Sequence, residues 1–241
     1  MDKAIHLIKK YDLHSHSIHS PDSITPVEKL VDRYAKLGFA GFALTDHGSI
    51  DGWKAAKEYI KRKKLALDFI PACEFITSKG DVIGLYITDL IDSRDPLEVI
   101  DQIHEQGGLV VLPHPFDSIR GSACHPDQLG PEGWRSLDGM ETLNARASKG
   151  ANDKALAFVL AKASAPIQPH SLAQTGGSDT HFLFEAGKAF TVAPDKLSLA
   201  SAIKKKATSA SGGTSPIYVH GPTTLVKLGK KARLLPRITK K

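Results

Sequence analysis

The sequence predicts an α/β protein in which parallel strands are covered by helices, as a barrel or an open sheet. Three observations carry that prediction. Short apolar runs alternate with amphipathic stretches of helical period over the first two hundred residues. Two helical stretches open on strong start signals and end on glycine. Histidines and carboxylates gather at the ends of the apolar runs, where such folds keep their chemistry.

In chain order, the strand runs are residues 11–13, 41–45, 69–73, 82–87, 109–112, 139–143 and, more weakly, 189–192. Helical patterns lie between them at 26–37, 51–63, 96–105, 151–163 and 195–206. Thr25-Pro26-Val27-Glu28 offers a hydroxyl cap, a proline at the first helical position and a glutamate at the third, and Asp95-Pro96-Leu97-Glu98 repeats that chemistry. Gly38 and Gly107-Gly108 supply the left-handed backbone on which helices end. Residues 209–216 (SASGGTSP) read as a flexible linker, dividing a catalytic body (1–208) from a basic tail (209–241).

With 41% hydrophobic and 24% charged residues among 241, disorder and collagen are excluded. No apolar run approaches the roughly eighteen residues of a membrane span. The N-terminal MDKAIHLIKK lacks the apolar core of a secretory signal, so a cytoplasmic protein is expected. Two cysteines, Cys73 and Cys124, are too few for a disulfide framework.

The eleven histidines are not scattered evenly. Asp12-Leu13-His14-Ser15-His16 ends a strand with two histidines one residue apart, and in extended backbone both face the same side. Asp12 is either an outer partner of His14 or an organiser of the loop. Thr45-Asp46-His47, Ala72-Cys73-Glu74, Pro113-His114-Pro115 and Gly177-Ser178-Asp179-Thr180-His181 are four further clusters. Each alone fits a turn acid or a packed histidine. Five together point to one shared site, because in a parallel barrel the strand ends face one rim. Imidazoles and carboxylates are the donors that hold zinc, manganese or iron.

These five motifs, in this order between Tyr11 and Pro194, resemble the polymerase and histidinol phosphatase (PHP) family. The resemblance implies a distorted seven-stranded β/α barrel with two or three divalent metals at its C-terminal rim, hydrolysing phosphate esters. It also implies a ligand set. His14 and His16 hold one metal with Glu74 and Asp179. Asp22 joins His47 and His181 on a second, and Glu74 bridges to a third with His114. Where the family has a further histidine, Asp81 stands here, either as a ligand or as a plain turn residue. His19 matches no ligand position and is expected as an exposed loop residue.

Such a centre suits hydrolysis of a phosphomonoester or nucleotide-type substrate by a metal-activated water. His181 or His114 would protonate the leaving group, and Asp179 is a candidate base. Arg120 and Arg146 follow motif strands, and their planar forks suit phosphate oxygens. Glu141 ends a strand too, with hydrogen bonding to neighbouring loops as its expected role. A nuclease acting on oligonucleotides would use the same metals, although aromatic residues for stacking total only 7%. A non-catalytic metal-binding scaffold would lack ligands, and here nearly all are present. An amidohydrolase-like enzyme would call for a lysine or an extra carboxylate bridging two metals, and no motif lysine stands in position.

The net charge of +6 is unevenly spread. Asp195 is the last acid, and eleven lysines and arginines follow it, which leaves residues 1–195 with a balance of −5. The expected partners are a small phosphorylated substrate and no membrane, and nothing specifies an oligomer. The tail is expected to be a solvated basic end, with weak nucleic-acid contact as its alternative.

Overall fold

The computed structural model of the chain describes residues 8–164 and 170–235. His6, most of the N-terminal stretch read for a signal, and the tail residues Arg237, Lys240 and Lys241 lie outside the described residues. Nine strands form one sheet: β1 (Ile8–Asp12), β2 (Gly41–Leu44), β3 (Asp68–Thr77), β4 (Gly80–Leu85), β5 (Leu109–Leu112), β6 (Gly139–Asn144), β7 (Ala173–Gly177), β8 (Ala189–Pro194) and β9 (Ser209–Gly212). Their spatial order is β7-β6-β5-β4-β3-β2-β1-β8-β9. The two ends curl toward each other. Thr191 Oγ1 on β8 donates to Gly176 O at 3.0 Å and accepts from Gly176 N at 2.9 Å on β7. Thr208 Oγ1 donates to Gln174 O at 2.8 Å. The barrel is therefore nearly closed.

Nine strands replace the expected seven, and the sheet is mixed. β1–β2, β2–β3, β5–β6 and β6–β7 are parallel, whereas β4 and β8 run antiparallel to their neighbours. β7 escapes sequence reading because Ala173-Gln174-Thr175-Gly176-Gly177 contains a single β-branched residue. Ser209–Gly212 is not the start of a flexible linker: it pairs antiparallel with β8 from Ala189 to Val192. Small polar residues suffice there because an edge strand is held by backbone hydrogen bonds.

Seven α-helices accompany the sheet among the described residues: α1 (Val27–Lys36), α2 (Trp53–Lys63), α3 (Pro96–Glu105), α4 (Gly130–Arg135), α5 (Lys149–Ala163), α6 (Leu199–Lys204) and α7 (His220–Lys231). In α1, Val27, Leu30, Val31 and Tyr34 fall at helical spacing and are all buried. They pack with Phe39, Phe42 and Leu44 in the main core. α3 begins as expected: Asp95 Oδ1 accepts from Leu97 N and Glu98 N at 2.8 and 3.2 Å, a cap that stabilises by about 1 kcal/mol. α1 does not. Thr25 Oγ1 donates instead to His181 O at 3.0 Å, so its hydroxyl holds the site and the helix starts without a side-chain cap.

Within its described residues the tail is not a solvated end. α7 returns to the barrel rim, with Val226 and Lys230 buried. Among the described residues, no helix is long and apolar enough to cross a membrane.

Candidate metal centre

The rim gathers the strand-end residues, although not by parallel strands alone. β1, β2, β5 and β7 deliver His14 and His16, His47, His114, and Asp179 and His181 just beyond their last residues. Glu74 sits within β3, where His47 bridges to it in parallel register. β4 runs the other way, so its beginning, not its end, lies at this rim. Asp81 is therefore a buried strand residue paired in register with Ile76, and the turn reading fails.

The donor atoms converge. His14 Nε2 and His16 Nε2 are 3.1 Å apart, and each stands 3.3 Å from Glu74 Oε2. Asp179 Oδ1 lies 3.7 Å from the first and 3.5 Å from the second. Donors about 2.0–2.1 Å from one tetrahedral ion are spaced by roughly 3.3–3.4 Å, so these four atoms match the edges of such a polyhedron. Asp22 reaches His47 Nε2 at 3.5 Å through Oδ2 and His181 Nε2 at 3.4 Å through Oδ1. His47 Nδ1 is 3.2 Å from Glu74 Oε2, and His114 Nε2 is 3.3 Å from Glu74 Oε1. Glu74 is thus shared by all three groups.

The buried polar atoms without hydrogen-bond partners fit a cation. They include Asp22 Oδ1, His47 Nδ1, both oxygens of Asp81 and Asp179 Oδ1. Buried polar atoms are rarely left unpaired without a ligand or water to meet them. Charge tells the same story. Burial would raise Glu74 and Asp179, yet His14 and His47 hold the first well below the usual carboxylate range, and Arg120 and His14 hold the second there. Asp81 is pushed up by burial and by Glu74. Burial would lower His47, but Glu74 and Asp22 lift it to about 10. His14 is raised well above its usual value against its burial by Asp179, Glu141 and Glu74. His181 falls to about 4 through burial, despite Asp22.

Outer contacts orient these side chains. Glu141 Oε1 meets His14 Nδ1 at 3.0 Å, while its Oε2 accepts from His114 N and Asn144 Nδ2, both at 2.9 Å. Glu141 and Asn144 are three residues apart and would face opposite sides of a regular strand. The register shift between Glu141 and Leu143 turns both toward the site. Asn144 Nδ2 also donates to Asp179 Oδ2 at 3.2 Å. Ser20 Oγ contacts His16 Nδ1 and accepts from His47 N, both at 3.0 Å. Asp12 organises the loop: it accepts from His14 N, Ser178 N, Gly187 N and the Tyr34 hydroxyl and touches no imidazole, and burial lifts it to about 6. His114 (φ 31°) and Asp179 (φ 53°) adopt left-handed backbone that side-chain-bearing residues seldom hold.

The two arginines are less free than the sequence suggested. Arg120 pairs with Asp179 Oδ2 through Nη1 and with Asp117 Oδ2 at 3.1 Å through Nε, while its Nη2 has no partner and the residue lines the pocket. Arg146 Nη2 donates to Val219 O at 3.0 Å and Thr223 Oγ1 at 2.6 Å, which ties the loop after β6 to α7. Its Nε faces Glu185 at 3.5 Å. His19 is half-buried rather than exposed, because the start of α2 at Gly52 lies against it.

A pocket of about 570 Å³ opens above the cluster, lined by Asp22, His47, Glu74, Asp81, His114, Asp179 and His181 on its floor. His220, Thr223, Thr224 and Lys227 form one wall at helical spacing along α7. Sequence reasoning missed that wall, with Ser20 and Asn144. Asn144, at the end of a motif strand beside Glu141, offered a local signal; the helix 75 residues or more downstream offered none.

Known proteins resemble this chain over much of its length. The model of the PHP domain matches residues 12–151. An uncharacterised protein of Methanocaldococcus jannaschii is 32% identical over 148 residues, 56% of this chain and 82% of its own length. The 5'-3' exoribonuclease Rnm of Salmonella typhimurium is 43% identical over 67 residues, 28% of this chain and 22% of that protein. A two-domain protein from Bacteroides vulgatus, containing a predicted PHP-like metal-dependent phosphoesterase, shares the fold with a TM-score of 0.70. That similarity is at 18% identity and covers 91% of this chain and 70% of that one.

Proposed function

Because the chain belongs to the PHP domain family, we propose that it is a divalent-metal-dependent phosphoesterase acting on a small phosphorylated substrate. The convergence of His14, His16, Glu74 and Asp179 at the spacing of a metal polyhedron is the observation that carries this reading.

In this reading His14, His16, Glu74 and Asp179 hold one cation, zinc, manganese or iron. Asp22, His47 and His181 hold a second, and Glu74, His114 and Asp81 surround a third. When bound, such ions lower the pKa of a water and neutralise charge on phosphoryl oxygens. The chain's own residues do the rest. Glu141 accepts the Nδ1 proton of His14 and leaves Nε2 with its lone pair toward the carboxylates. His181 Nδ1 donates to Asp179 O at 2.9 Å, which frees Nε2 in the same way. Arg120 fixes Asp179 and offers its unpaired Nη2 to a phosphate oxygen. Held so low by that arginine, the Asp179 carboxylate is a weak base, and holding a cation suits it better. His114 and His181, the imidazoles considered for protonating the leaving oxygen, lie on the pocket floor among the cation-holding groups, and His181, lowered to about 4 by burial, is the poorer acid of the two at neutral pH.

A second reading, a nuclease, draws on the partial match to an exoribonuclease and on Lys227 at the pocket wall. Against it, no Phe, Tyr or Trp lines the described pocket, and Phe116 and Trp134 pack against the core. A panel of phosphomonoesters, mononucleotides, nucleoside bisphosphates and short oligonucleotides, assayed with Mn²⁺, tests both. Turnover of monoesters that chelation abolishes is expected. Preference for oligomers would favour the nuclease, and full activity of the metal-stripped protein would overturn both.

A further inference from the structure

We infer that Lys230 is a positioning residue for the Asp22 side of the metal centre, so that docking of α7 and binding of a cation there are coupled. The inference rests on the metal-centre reading and extends it to a helix that lies beyond the residues matched by the family model.

Lys230 is 3% exposed, and its ammonium is satisfied by backbone. Nζ donates to Ile18 O at 2.8 Å and to Ser20 O and Ser23 O at 2.6 Å each. An ammonium has three protons, and three carbonyls of one short loop lie within hydrogen-bond reach of it. Burying such a charge is costly unless it is met in this way. Those carbonyls flank Asp22, whose side chain faces His47 and His181. The same loop carries Ser20, which touches His16 Nδ1 and His47 N. Ser23 Oγ donates to His181 O at 2.9 Å. One charge from the far end of the chain therefore fixes the turn that presents a carboxylate to two imidazoles. Without it, the three carbonyls lose their shared donor and Asp22 loses its fixed position.

Coupling of this kind is reciprocal. If docked α7 favours the cation, the cation must favour docked α7. Both directions are measurable on the full chain with Mn²⁺ as the probe. Lys230→Met keeps the length of the side chain and removes the charge. It should weaken one Mn²⁺ equivalent about ten- to hundredfold while sparing the rest, as loss of an outer partner does elsewhere. Asp22→Asn should show the same selective loss, and the double variant should bind no more weakly than Asp22→Asn alone, since Lys230 acts through that residue. In the wild-type chain, Mn²⁺ should slow amide hydrogen exchange across residues 220–231, a readout that holds even if Lys230→Met fails to fold. Wild-type affinity for every equivalent in Lys230→Met, additive losses in the double variant, or exchange in α7 indifferent to Mn²⁺ would each overturn the inference. A wild-type chain that takes up no Mn²⁺, Zn²⁺ or Fe²⁺ overturns the metal-centre reading instead, and the inference with it.

Discussion

Glu141 Oε1 lies 3.0 Å from His14 Nδ1, and that contact decides which nitrogen of His14 faces Glu74 and Asp179. A carboxylate only accepts, so Nδ1 carries the proton and Nε2 is left as a donor of its lone pair. Glu141→Gln keeps the shape but lets an amide N–H compete for that nitrogen. Metal affinity should fall about tenfold or more, with the fold intact. Calorimetric titration against the wild type checks this; unchanged affinity would remove Glu141 from the outer shell of contacts.

Gly177, the last residue of β7, lies against His14, two residues beyond β1. A Cβ there would collide with His14 Cβ, lie 2.5 Å from Glu141 Oε1 and 3.0 Å from His14 N. Two of those atoms belong to backbone or a short side chain, so neither can swing away. Gly177→Ala should destabilise the protein by about 1–3 kcal/mol and reduce metal uptake together. Thermal unfolding with metal analysis tests it, and a stable variant with full metal content would contradict the close approach.

The pair between Arg120 and Asp179 sets an acid limit. Arg120 is the leading influence opposing the burial that would otherwise raise Asp179. Replacing it by Met should let that carboxyl rise, so the lower pH at which metal binding fails should move upward. Breaking a buried pair also costs about 3–5 kcal/mol. The pH dependence of binding separates the two effects, because general destabilisation would weaken binding equally at every pH.

Protons and cations compete for the imidazoles. In the metal-free chain Glu74 and Asp22 lift His47 against its burial to about 10, and Asp179, Glu141 and Glu74 raise His14 against its own. Metal uptake must displace the proton of His47, and affinity should grow as pH rises toward 10. The sign for stability is opposite. A folded-state pKa raised from 6.5 stabilises the metal-free chain fully below pH 6.5, and that contribution fades as pH climbs to about 10. Titrations in buffers of different ionisation enthalpy count the protons; no net release would refute the assignment of charge.

Much of this centre was legible because its donors sit next to strand ends, where short apolar runs mark the position of the rim. His14, His16, His47, Glu74, His114, Asp179 and His181 all announce themselves by local pattern. Asp81 was half-legible: the residue was found, but only the antiparallel course of β4 brings its strand start to the rim. Long-range pairing was the part no local pattern encodes. Arg146 reads as a phosphate ligand until α7 occupies its Nη2, and Lys230 reads as a surface charge until the loop after His16 closes on it. The small polar strands β7 and β9 were hidden for another reason, since their neighbours, not their side chains, make them strands.

His114 and Asp179 hold left-handed backbone without being glycine. Such residues cost of order 1–3 kcal/mol each. Glycine at His114 would relieve that backbone and lose a donor, whereas at Asp179 the loss of its buried pair with Arg120 would outweigh the relief. The centre is thus a standing debit against the fold, tolerated because the surrounding strands are stable enough to carry it. Thermostabilising substitutions introduced elsewhere would widen the range of variation this rim can absorb.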